Sequence, residues 1–97
     1  MASEIEELSV AYEEEGVEVV QQLNKEILSK GAWTTIAFLY RDWDNRAEAY
    51  SEPKITLRRY RKVKGQYRQQ SKFNISSMNQ AEKIQELLGR WIADQKG

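Results

Sequence analysis

Residues 54–72, KITLRRYRKVKGQYRQQSK, carry eight Lys or Arg and no Asp or Glu, in a chain of 97 residues whose formal net charge is zero. The stretch reads as two strands around a tight turn at Lys64 and Gly65. With a period of two, Ile55 and Leu57 share one face while Lys54, Thr56, Arg58, Tyr60 and Lys62 share the other. Arg59 and Arg61 fall on the apolar side of that count, so a bulge or an exposed end is expected beyond Leu57. On the return strand the same count groups Tyr67, Phe73 and Ile75, opposite Arg68, Gln70, Lys72 and Asn74.

The next element downstream is a helix. Ser77 and Gln80 fit a capping box, and Met78, Ala81, Ile84, Leu87, Leu88, Trp91 and Ile92 form an apolar stripe, interrupted by Gly89. Upstream, Ala32 to Trp43 is dominated by strand formers and leads into turn chemistry at Asp42, Asp44 and Asn45. Arg46 to Ser51 is short enough to fold back on that strand, and Pro53 suits the start of the next. In the N-terminal third, Val17, Val20, Leu23 and Ile27 recur at steps of three, three and four, which predicts a helix ending near Gly31. Before it, Ser3 with Glu6 fits a capping box, yet Leu8, Val10 and Tyr12 alternate as a strand does. The expected fold is therefore α+β, a four-stranded antiparallel curved sheet with an N-terminal and a C-terminal helix on one face, in the order α-β-β-β-β-α. One domain spans residues 1–97: an acidic helical segment 1–31, a sheet 32–76 and a helix 77–94.

Composition narrows the chemistry. With no His and no Cys, the chain lacks the common general base, the thiol nucleophile and the soft metal ligands. Glu13, Glu14, Glu15 and Glu18, and the pair Asp42 and Asp44, form no recognised metal loop and read as solvated faces. We expect no enzyme, no cofactor and no metal. No apolar run approaches the roughly 20 residues of a membrane span, and MASEIEELSV has neither the basic start nor the apolar core of a secretory signal. A cytoplasmic protein away from membranes is expected. A chain of this size hides little of its surface alone, so a homodimer is expected too.

Neutral overall charge conceals segregation. Residues 1–31 hold eight acids and two bases, whereas 54–72 hold eight bases and no acid. Cations interleaved with tyrosines on paired strands suit a phosphate backbone with bases stacked on rings. The candidate nucleic-acid-binding residues are Lys54, Arg58, Arg59, Tyr60, Arg61, Lys62, Lys64, Tyr67, Arg68 and Lys72, and the partner is single-stranded DNA or RNA. Three other readings stand beside this one. Lys and Arg also protect exposed edge strands from pairing. The hairpin also suits an acidic protein surface, making the chain a non-catalytic interaction module of a small homodimer with cystatin-like helix-on-sheet topology. Trp33, Phe38 and Trp43 would line a small-molecule pocket in such a fold.

From Lys54 onward the order of residues resembles the positive cofactor four family of single-stranded-DNA-binding transcriptional coactivators, whose fold the plant Whirly proteins share. Leu57, Arg58 and Tyr60 match the family's first strand, Gly65 its turn, and Tyr67 and Arg68 the aromatic and cation after it. Lys72 and Ile75 match the second strand, and Ser76 or Ser77 through Leu88 the helix. Phe73 and Asn74 stand where a lysine and glycine pair is usual, and the acidic N-terminal third has no counterpart. The resemblance implies sequence-tolerant single-stranded-DNA binding in transcription regulation. It also implies a dimer packed through its helices, here through Leu87, Leu88, Trp91 and Ile92.

Overall fold

Two tight turns set the sheet. In the computed structural model, which describes residues 3–97, Glu15 and Gly16 have φ of +50° and +80°, and Lys64 and Gly65 of +52° and +79°. Positive φ at both central residues gives the type I′ turn, whose twist matches that of paired strands. The first turn joins β1 (Tyr12–Glu14) to β2 (Val17–Ser29), and the second joins β5 (Lys54–Val63) to β6 (Gln66–Ile75). Between these hairpins β3 (Trp33–Asp44) pairs antiparallel with both β2 and β5, and the short β4 (Ala49–Tyr50) folds back on the end of β3. The sheet runs β1-β2-β3-β5-β6, with β4 beside β3, and α1 (Met78–Lys96) follows.

The α+β class and the antiparallel sheet are as expected, but there are six strands where four were expected, and the described part of residues 1–31 holds no α-helix, only a three-residue 3-10 turn at Ile5–Glu7. The reason lies in two irregularities of β2. Its register against β3 shifts between Gln22 and Asn24 and again between Ile27 and Ser29. The extra residue at the first shift lets Val20 and Ile27, seven apart as on a helix, share one face of the strand, while Val17 and Leu23 of the expected stripe are 40 % and 42 % exposed. The β-branched Val17, Val19, Val20 and Ile27 favour the extended chain.

One face of the sheet is closed by the N-terminal segment. Ile36 and Phe38 of β3, Tyr60 of β5 and Tyr67 of β6 are buried against Leu8, with Ile5, Val10 and Ile27 packed around them. Two side chains of β2 hold the segment down. The ammonium of Lys25 donates to the carbonyls of Ile5 at 2.7 Å and Leu8 at 2.8 Å, in the short 3-10 turn Ile5–Glu7 and just after it. Gln22 Oε1 accepts from Ser9 Oγ at 2.8 Å and from the Val10 amide at 3.1 Å.

On the opposite face Ile75, just before α1, is buried, but no segment closes the rest. α1 does not lie across it. The helix starts where the sequence predicts, with Ser77 Oγ accepting from the Gln80 amide at 3.1 Å and the Gln80 side chain reaching back to the Ser76 amide at 2.8 Å. It then continues unbroken through Gly89 and contacts mainly the edge strand β6, and none of its residues is buried. The expectation of two helices packed on one face is thus corrected on both counts. Among the described residues no helix is long and apolar enough to cross a membrane.

Candidate nucleic-acid interface

Register assigns every cation of the basic hairpin to a face. Trp33, Arg61 and Arg68 are directly opposed across β3, β5 and β6, and Thr35, Arg59 and Ser71 form the next row. Both rows lie on the open face. Beyond them come Ala37, Leu57 and Phe73, then Leu39, Ile55 and Ile75, so the open face divides into a cationic half and an apolar half. Lys54, Arg58, Lys62 and Lys72 lie on the other face with Tyr60 and Tyr67, and Lys64 is at the turn. The ten sequence-selected residues therefore do not make one surface.

Trp33 is the residue around which the cationic half is organised. It is 40 % exposed, with the Arg59 guanidinium 4.2 Å and the Arg61 guanidinium 5.3 Å from its ring centroid. Such contacts attract through the ring quadrupole and leave the guanidinium edges free to donate. Among the described residues the single ion pair is Lys54 to Asp42 at 3.0 Å, so Arg59, Arg61 and Arg68 face no carboxylate. Arg58 is engaged within the sheet, donating to Thr56 Oγ1 at 3.2 Å and Gln69 Oε1 at 2.9 Å.

The two tyrosines expected to stack bases are placed otherwise. Tyr60 is 5 % and Tyr67 8 % exposed, both in the core against Leu8. Neither ring presents a face to a ligand in this arrangement. Burial pushes the Tyr60 phenol above its usual range, partly opposed by the Arg58 charge. Tyr67 reaches this face because the register shifts after Arg59: Arg59 opposes Ser71 whereas Tyr60 opposes Gln69, leaving Gln70 unpaired. One inserted residue flips everything between Gln70 and the turn, so Tyr67 and Phe73 part to opposite faces.

Sequence reasoning placed Trp33 among core or pocket aromatics and missed it as a surface ring. A signal was present in its position at the first residue of a strand, where pairing with the far, charged end of β5 is forced by antiparallel geometry. Phe38 is core and Trp43 packs edge-to-face on Tyr50 at 5.1 Å, so Trp33, Phe38 and Trp43 line no common pocket. The acidic residues Glu13, Glu14 and Glu18 belong to the β1–β2 hairpin, at the opposite edge of the sheet from β6. Comparison with known proteins finds no matching family model, and no curated protein or solved structure with significant similarity to this chain.

Proposed function

We propose that this chain binds single-stranded nucleic acid across the cationic half of its open sheet face, in the transcription-related role that its resemblance implies. The observation that carries the reading is the half-exposed Trp33 ring flanked by arginines that face no carboxylate. A base placed on Trp33 exchanges one π contact for another and releases Arg59 toward a phosphate. Arg61, Arg68 and the turn residue Lys64 then continue the cationic track along the strand. Stacking on an aromatic ring accepts any base, so binding is sequence-tolerant. A duplex keeps its bases paired and stacked internally and engages only the charges.

Fluorescence anisotropy with single-stranded and duplex oligonucleotides over a salt series tests this. About four phosphate contacts give a log-log slope of about −3, at roughly 0.7 per contact on a single strand. Trp33→Ala should cost about 1–3 kcal/mol on the single strand and little on the duplex. Arg59→Ala with Arg61→Ala should flatten the salt slope by about 1.4 at that same coefficient. Affinity that ignores both salt and Trp33 would sink the proposal.

A further inference from the structure

A chain that leaves two apolar surfaces uncovered has an account to give of both. The first is the apolar half of the open sheet face, where Ala37, Leu57 and Phe73 form one row and Leu39 and Ile55 extend it toward the buried Ile75; Phe73 is its exposed member and the other four are half-buried. Phe73 is 53 % exposed, and a depression of about 170 Å³ opens beside Ala37, Leu39 and Ile55. The second is the C-terminal half of α1, where Leu88, Trp91 and Ile92 lie on one helical face and are each about half exposed. α1 meets the sheet mainly along β6, and Phe73, Leu88, Trp91 and Ile92 all stay about half exposed in the single chain.

The amount of exposed area says how large the missing contact is. A compact monomer of 11.4 kDa exposes about 5,800 Å² by the scaling of surface with mass, whereas this chain exposes 7319 Å². The surplus is about 1,500 Å² per chain, and a pair of chains burying it would hide about 3,000 Å², within the range of obligate homodimers. The Cα radius of gyration of 15.7 Å also exceeds the roughly 12.5 Å of a compact domain of this length.

We infer that the occupant of both surfaces is a second copy of this chain, with α1 of each copy laid across the apolar half of the other copy's open sheet face. A two-fold axis makes such a contact self-complementary, since helix meets sheet twice and both unpartnered surfaces are covered together. Sizes agree. The apolar patch spans three strands, about 10 Å, and Leu88 to Ile92 rise about 6 Å along the helix. A formal charge of zero sets up no net repulsion between copies. The rows bearing Trp33, Arg59 and Arg61 stay outside the contact, so the dimer offers two nucleic-acid surfaces. The inference depends on the apolar half alone and not on the proposed binding activity.

The chain contains no cysteine, which makes disulfide trapping clean. Sedimentation equilibrium should give about twice 11.4 kDa at micromolar concentration, and Trp91→Glu or Phe73→Glu should each raise the dissociation constant at least about 100-fold with unchanged far-ultraviolet circular dichroism. Both side chains are about half exposed in the single chain, so their loss leaves the protomer folded. Under mild oxidation, Phe73→Cys mixed with Leu88→Cys should give a mixed disulfide dimer, and each variant alone should cross-link little. Efficient cross-linking of Leu88→Cys with itself, without the mixed product, overturns the helix-on-sheet arrangement in favour of helix on helix. A monomer at all concentrations up to about 100 µM overturns the dimer itself and points to α1 folding onto its own sheet. Oligonucleotide binding by Trp91→Glu, compared with Trp33→Ala, reports separately on the nucleic-acid reading.

Discussion

Tyr60 shows how one residue's role is decided by what covers its face. Its place opposite Ile55 and Leu57 was legible from alternation, and the structure keeps that grouping with Thr56, Arg58 and Lys62. What alternation does not tell is which face is closed. A strand bearing Arg58 and Lys62 beside Tyr60 reads as solvent-facing, yet Thr56 is fully buried there and satisfied by Asn74 Oδ1 at 2.7 Å. The cover comes from Leu8, more than fifty residues away in sequence, and no local pattern announces it. The burial has a titration consequence. A phenol whose folded pKa lies above its unfolded value of about 10 favours the folded state fully below pH 10, and that contribution is lost as pH rises through the folded pKa. Chemical denaturation at pH 8 and at pH 11 should therefore show a smaller loss of stability in Tyr60→Phe than in the parent chain. An equal loss in both proteins refutes the assignment.

Among the elements, legibility followed the turn chemistry. The Lys64-Gly65 turn, the short return of β4, the start of β5 after Pro53 and the Ser77 cap are all found where the sequence places them. β2 was not, because a bulge at Leu23 puts Val20 and Ile27, seven residues apart as on a helix, on one face of a strand. Glu15 and Gly16 mark the turn that precedes it, and a Glu-Gly pair is a weaker hairpin signal than Asn-Gly. Two glycines test this account with the same substitution and opposite signs. Gly89 lies in regular helix with open space where a Cβ would go, so Gly89→Ala should stabilise by about 0.8–1 kcal/mol. Gly65 has equal space but a φ of +79°, so Gly65→Ala should destabilise by about 1–2 kcal/mol through backbone strain alone. Thermal melts of the two variants should move in opposite directions.

Across the whole molecule, charge segregation in sequence becomes segregation in space. The acidic hairpin β1–β2 and the basic hairpin β5–β6 occupy opposite edges of a thin body of 52 × 39 × 17 Å. Four inter-strand steps separate β1 from β6, about 19 Å, so Glu13, Glu14 and Glu18 do not cover the basic strands of their own chain. Their effect on a polyanion must act through the field alone, and a field is screened where a contact is not. The Debye length is about 30 Å at 10 mM salt and about 8 Å at 150 mM, on either side of that separation. Three carboxylates acting on about four phosphates at that distance in water amount to about 1.4 kcal/mol at 10 mM and about 0.2 kcal/mol at 150 mM. Replacing Glu13, Glu14 and Glu18 by Gln should accordingly tighten single-strand binding by about five- to tenfold at 10 mM salt and less than twofold at 150 mM. Tightening that persists undiminished at 150 mM requires direct contact between those carboxylates and the cationic surface, and only a neighbouring chain can bring them there.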